Sequence, residues 1–271
     1  MNSQVNPSVD AQSSLMPPWE GIYAHFREVP TRGEGFNSAY WVEHSRQRTE
    51  DEMSRVPSDR SNIFQVDGQS AFLALIASVA VRRDQKLRIM DFGGGMGVGY
   101  FHLGRILAVP DSVEYTVVET PSICNVARLL FKNDRAIQFV TELPSQSRFD
   151  IVYLNSSLQY VEDYQHLIRQ LAKYEPNYFL FVRLSAGDIT TYATAQLNVR
   201  GSRIPYWFVN IKDVLSIMAS LGYSLAFKTL GQEDFNQENF PPTYRLGKPC
   251  NLMFRPTSSI DKGREGTSRC Q

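Results

Sequence analysis

From Leu87 onward the apolar and polar positions of the chain alternate between two periods. LRIMDF, EYTVVET, AIQFVTEL, FDIVYLN and YFLFVRL are short runs rich in β-branched and aromatic residues, which read as strands. VGYFHLGRILA, PSICNVARLLF and EDYQHLIRQLAKY carry apolar residues three and four apart, the spacing of a helix with one buried face. Pro121 opens the second of these helices, where its missing N–H leaves no bond unmade. After a long connection, IKDVLSIMASLGY reads as a further helix with Gly222 placed to end it, and SLAFKTL and CNLMFR as closing strands. Regular alternation of strand and helix predicts an α/β fold with a mostly parallel sheet covered by helices on both faces. Ligands of such sheets bind beyond the carboxyl ends of the strands. That rule singles out the segments beginning at Asp91, Glu119, Thr141, Asn155 and Arg183.

The portion before Leu87 has a different character. From Trp19 to about Arg83 it reads as helices and loops without a strand, and residues 19–85 are expected to form an N-terminal helical cap on a domain spanning 86–256. Asp67 can cap a helix whose body, QSAFLALIASVAV, is apolar nearly all round and is therefore expected to be buried. The polar, turn-rich tails 1–18 and 257–271 are expected to be disordered.

Composition narrows the function classes. Of the 271 residues, 42% are hydrophobic and 21% charged, enough for a packed core. Lys+Arg and Asp+Glu both total 28, so no net charge draws the chain to nucleic acid, and no nucleic-acid partner is expected. The N-terminus lacks the basic start and apolar core of a signal peptide. No apolar stretch reaches the roughly 18–20 residues of a membrane span, so a cytoplasmic location is expected. Cys124, Cys250 and Cys270 are too scattered for a disulfide framework or a metal-binding pair, and the histidines show no ligand spacing.

The candidate chemistry begins at the first strand end. Gly93, Gly94, Gly95 and Gly97 follow a strand and precede a helix, where backbone approaches a ligand that side chains would block. A dinucleotide fingerprint needs glycine at its sixth place, but Val98 or Tyr100 stands there, so a nicotinamide oxidoreductase is disfavoured. Asp91 opens the loop with a carboxylate, which would repel a pyrophosphate and suits a phosphate-free cofactor with a cationic amino-acid end, as in S-adenosylmethionine. Glu119, about 20 residues on with Thr120 beside it, stands where an acidic residue takes ribose hydroxyls. Taken singly, the loop reads as a tight turn and Glu119 as a solvated strand-end carboxylate; the pairing of Glu119 with Asp91 favours a cofactor site. Glu142 and Leu143 stand where an adenine would lie, and Asn155 and Ser156 follow the next strand and should border the reacting methyl.

An acidic residue followed by GxGxG resembles the first motif of the class I methyltransferases. The chain looks closest to a group of methyltransferases found among polysaccharide and lipopolysaccharide biosynthesis genes. DFGGGMGVGY, VVET, FDIVYLNSSLQYVEDYQHLIRQL, YFLFVRL and TAQLNVRGSRIPYWFVN carry the likeness, over roughly Trp19 to Arg255, with LNSSLQYVED the most specific stretch. The resemblance implies a Rossmann-like sheet, S-adenosylmethionine as cofactor, and methyl transfer to a hydroxyl of a saccharide or related small metabolite. Catechol-type relatives place a metal-binding Asp where Asn155 stands, so no metal is expected.

The acceptor side is less marked. Candidates for its wall are Tyr160, Arg183, Gln196, Arg203, Tyr206, Trp207 and Asn210, most of them in the long connection between Arg183 and Ile211, whose aromatic and amide side chains suit a sugar. The bland alternative is that Tyr206, Trp207 and Phe208 pack on the sheet edge. His102, Tyr160 and Tyr206 are the candidates for a general base, though His102 lies in the helix after the glycine loop and reads as readily as a satisfied helical histidine. With no base singled out, the competing reading is a non-catalytic binding module that keeps the fold.

Overall fold

A computed structural model describes residues 18–54, 70–82, 85–106, 112–145, 148–197 and 201–257. The polar tails lie outside the described residues except for Pro18 and Thr257, and so does the expected cap Asp67. In chain order the elements are β1 (Trp19–Tyr23), α1 (Ala39–Ser54), α2 (Ser70–Ala80), β2 (Leu87–Phe92), α3 (Val98–Ile106), β3 (Val113–Val118), α4 (Pro121–Leu130) and β4 (Ile137–Val140). They continue with β5 (Ile151–Asn155), α5 (Tyr164–Ala172), β6 (Tyr178–Leu184), β7 (Ala186–Gly187), β8 (Tyr192–Gln196), β9 (Ile204–Asn210), α6 (Ile211–Ser220), β10 (Tyr223–Leu230) and β11 (Cys250–Pro256).

Seven strands form the main sheet in the order β10-β11-β6-β5-β2-β3-β4. The run from β6 to β4 is parallel, while β11 lies antiparallel to both β6 and β10. Strands covered on both faces need apolar side chains on both, and β6 alternates accordingly. Phe179 and Phe181 face the layer built with Ile168, Leu171, Val214 and Met218 of α5 and α6. Leu180 and Val182 face the opposite layer, with Leu73, Ala77, Leu103 and Ile123 of α2, α3 and α4. In α5 the buried Tyr164, Leu167, Ile168 and Leu171 form one stripe, and Asp163 caps the helix by accepting the His166 N–H at 2.8 Å. Gly222 follows α6 with φ 80°, as its position predicts. No helix among the described residues is long and apolar enough to cross a membrane.

Three expectations are corrected. A strand does exist before Arg83, because β1 pairs antiparallel with β8 across more than 160 residues of chain. The connection from Arg183 to Ile211 is largely strand, and β7, β8 and β9 join β1 in a second sheet ordered β1-β8-β9-β7. Its side chains Trp19, Tyr192, Tyr206 and Phe208 bury against Ile189 and Phe240. α2 is not wholly buried: Phe72, Leu73, Ala74, Ile76 and Ala77 pack inward, but Leu75 is 59% and Val79 70% exposed.

Candidate active site

The loop after β2 turns back under the start of α3 through left-handed backbone at Gly93, Gly95 and Gly97, with φ of 69°, 59° and 80°. Packing adds a second demand. A Cβ at Gly93 would stand 2.5 Å from Ser157 Cβ, one at Gly94 2.2 Å from Asp91 Oδ2, and one at Gly97 2.8 Å from Ile137 Cδ1. At Gly95 a Cβ would meet nothing within 4 Å, so this residue faces open space. The underside of the loop is filled by protein, and its crest is free to receive a ligand. Gly93 N–H donates to Val118 O at 2.9 Å and Ser157 Oγ to Phe92 O at 2.6 Å, tying the loop to its neighbours on both sides.

Glu119 stands beside that crest. Its Oε1 accepts the Gly95 N–H at 3.3 Å and its Oε2 the Thr120 N–H at 2.6 Å. Burial raises its carboxyl above the ordinary range, against the pull of those two backbone donors. Asp91 is placed differently from the expected ligand-facing carboxylate. It lies beneath the loop, 1% exposed, with Oδ2 accepting the Tyr115 hydroxyl at 2.7 Å. Its Oδ1 is buried without a hydrogen-bond partner. Burial pushes Asp91 up to about 7, the Tyr115 hydrogen bond opposes this, and the Glu119 charge adds to it. Glu142 is exposed, and Leu143 is partly buried against the α5–α6 layer.

The carboxyl ends of β5 and β6 carry the next group. Ser156 and Arg183 are non-glycine residues in left-handed backbone, φ 54° and 53°, and Ser156 N–H donates to Val182 O at 2.9 Å. Such conformations cost free energy and concentrate at functional sites. Asn155 Oδ1 and Gln159 Oε1 are buried with no hydrogen-bond partner. The two N–H groups of Gln159 Nε2 are shared among Ser156 Oγ, Arg183 O and Tyr206 Oη at 3.1, 3.2 and 3.3 Å, and Tyr160 donates to Gln196 Oε1 at 2.8 Å. Tyr160 and Tyr206 stand edge to face with centroids 5.0 Å apart. Burial pushes the Tyr206 hydroxyl up to about 12 and the Tyr160 hydroxyl further still, so neither takes a proton near neutrality.

The expected acceptor wall is divided by the pleat of β9, since successive side chains of a strand point to opposite faces. Tyr206 joins the core of the small sheet, whereas Trp207 joins the α5–α6 layer, stacked on Phe26 with centroids 5.5 Å apart. Tyr160, Arg183, Gln196 and Tyr206 are brought together. Arg203 instead pairs with Glu20, and Asn210 caps α6 by accepting the Lys212 N–H at 2.9 Å. His102 Nε2 lies 3.8 Å from Glu52 Oε2 between α3 and α1. Sequence reasoning missed Ser157, Gln159 and Tyr115. The first two lie in the LNSSLQY stretch, and Tyr115 was legible only as a strand residue.

No family model matches the chain, and no curated protein sequence does. Solved structures resemble it in fold. A chain of the Haloferax volcanii complex between the Trm112 methyltransferase activator and a methyltransferase aligns with TM-score 0.50 at 14% identity, over 80% of this chain and 94% of that one. An S-adenosylmethionine-dependent methyltransferase of Methanosarcina mazei aligns with TM-score 0.49 at 11% identity, over 67% and 96%. The Burkholderia thailandensis 1,6-didemethyltoxoflavin-N1-methyltransferase, solved with S-adenosylhomocysteine, aligns with TM-score 0.48 at 14% identity, over 81% and 91%. The sheet and its flanking helices thus have the Rossmann-like arrangement of methyltransferase neighbours.

Proposed function

We propose that this chain binds S-adenosylmethionine and transfers its methyl group to a small-molecule acceptor, a hydroxyl of a saccharide or related metabolite. One observation carries the reading: an open crest at Gly95 beside a carboxylate, Glu119, that the loop itself holds in place. The glycine loop stands where the strand order reverses, with β3 and β4 to one side of β2 and β5 and β6 to the other, the place where open α/β sheets bind nucleotides, and Glu119 follows the adjacent strand β3. The donor set fits a nucleoside without phosphate. A carboxylate accepts two ribose hydroxyls, and Asp91 Oδ1 is a buried acceptor with no donor, suited to a nearby positive charge.

When bound, the cofactor supplies an activated methyl, and the protein supplies position and exclusion of water. Glu119 would hold the ribose, Thr120, Glu142 and Leu143 would border the base, and Asn155 and Ser156 would border the methyl. Tyr160, Arg183, Gln196 and Tyr206 form the acceptor side. The two tyrosines keep their protons at neutrality, so neither is the base that takes the acceptor proton. The same observation favours a second reading, a cofactor-binding module without turnover.

Incubation with S-adenosylmethionine and a panel of saccharides, read as S-adenosylhomocysteine by mass spectrometry, separates the two. Acceptor-dependent product supports the enzyme, and binding without product over the whole panel supports the module. Turnover is expected to survive chelation; activity lost to chelator and restored by magnesium would contradict that part. Glu119→Ala should weaken cofactor affinity about ten- to a hundredfold, the cost of hydrogen bonds to a charged acceptor. Unchanged affinity in a calorimetric titration would remove Glu119 from the site.

A further inference from the structure

β2 lies between β3 and β5 in the main sheet. Any segment that touches the carboxyl-end loops of both β3 and β5 must therefore cross the carboxyl end of β2, where the glycine loop stands. Residues Gly33–Trp41 do this. On the β5 side the Phe36 ring packs edge to face on Tyr160, with centroids 4.7 Å apart. On the β3 side Ser122 Oγ, in the first turn of α4, donates to Asn37 Oδ1 at 3.3 Å. Phe36 also meets Trp41 with centroids 5.0 Å apart, so three rings, Tyr160, Phe36 and Trp41, run in a row across the site. Phe36 and Trp41 are both only half-buried.

The segment is fixed at its ends and turns between them through a single 3-10 turn, Gly35–Asn37, in which the Asn37 N–H donates to Glu34 O at 3.0 Å and the Ser38 N–H and Oγ donate to Gly35 O at 3.2 and 2.8 Å. Arg32 and Arg203 exchange backbone hydrogen bonds at 3.2 and 2.8 Å, joining it to the small sheet. At the other end Ser38 Oγ accepts the Trp41 N–H at 3.2 Å, starting α1. Gly33 and Gly35 have φ of 73° and 55°, backbone that a side chain would strain. Gly35 N–H donates to Ser202 Oγ at 3.2 Å.

We propose that Gly33–Trp41 is the roof of the cofactor pocket, with Phe36 and Trp41 presenting their rings to the bound nucleoside opposite the glycine loop. This rests on the S-adenosylmethionine reading above. The open glycine crest with the Glu119 carboxylate below and rings above are the two surfaces a nucleoside uses, one for its hydroxyls and one for its flat face.

The test uses S-adenosylhomocysteine as probe, with hydrogen exchange and calorimetry on the full chain. Binding should slow exchange across residues 33–41. Phe36→Ala should weaken affinity about five- to a hundredfold, the cost of one lost base–ring stack, and Phe36→Tyr should restore it. Melting temperature of the ligand-free variants separates this from a packing role, which would lower stability and leave affinity within twofold of wild type. Heat of binding with unchanged exchange at 33–41, or with full affinity in a folded Phe36→Ala, overturns the roof alone. No heat with wild type overturns the cofactor reading itself, and the roof with it.

Discussion

Asp91 links structure to pH at the scale of single residues. Its carboxyl is pushed up to about 7 from 3.8, chiefly by burial, so the folded protein holds a proton there that the unfolded chain has released. Between roughly pH 4 and 7 the unfolded state binds fewer protons at this site, and stability contributed by the neutral acid is lost as pH rises through that window. Asp91→Asn removes the titration. It should raise the melting temperature relative to wild type at pH 8 and change it little below pH 4, with an intermediate rise between; parallel pH curves for the two proteins would contradict the assignment. Gly95→Val should abolish cofactor binding, because the added side chain occupies the open crest and φ 59° strains it. A calorimetric heat equal to wild type would mean the ligand lies elsewhere. Gly93, Gly95 and Gly97 were legible in the sequence because positive φ and close approach admit few residue types, and Glu119 because an acidic residue stands at the end of the next strand. The placement of Asp91 under the loop was not, since burial depends on Tyr115, contributed by a neighbouring strand.

Among elements, the strands and helices of the main sheet were readable from period alone, because each buries a face that its own spacing defines. The small sheet was not. β1 contains Gly21 and a register irregularity between Glu20 and Tyr23, and its partner β8 is remote in sequence, so nothing local marks it as a strand. IPYWFVN alternates as a strand should, yet Pro205 and the turn-rich stretch before it read as loop. That misreading joined Tyr206 and Trp207 into one acceptor wall, whereas the pleat assigns them to different cores. The Trp207 ring meets Phe26 and Tyr164, and its Nε1–H donates to Glu162 O at 3.1 Å. Trp207→Ala should therefore cost about 3–5 kcal/mol of stability, like other truncations of buried aromatics. Cofactor affinity at low temperature should stay within threefold, and a variant with unchanged melting temperature would return Trp207 to the acceptor side. Tyr206→Phe removes the hydroxyl shared with Gln159 and Ser185. It should cost about 1–3 kcal/mol through unsatisfied partners and disturb turnover more than Trp207→Ala does.

At the scale of the whole molecule, the proposed function rests on the carboxyl ends of the central strands. The carboxyl ends of the neighbouring strands β5, β2 and β3 carry Asn155, the loop crest and Glu119, and the balanced net charge gives no long-range preference for polyanions. The small sheet, rooted on β6 through β7 to β9, sets Tyr206 and Gln196 against the turn after β5. The account stands on cofactor binding at the carboxyl ends of β5, β2 and β3. Titrating S-adenosylhomocysteine into the folded wild-type chain in a calorimeter tests it most directly. The account predicts a saturable heat with one site per chain, lost in Gly95→Val and weakened in Glu119→Ala. A folded wild type that gives no heat, or variants that bind as tightly as wild type, would contradict it.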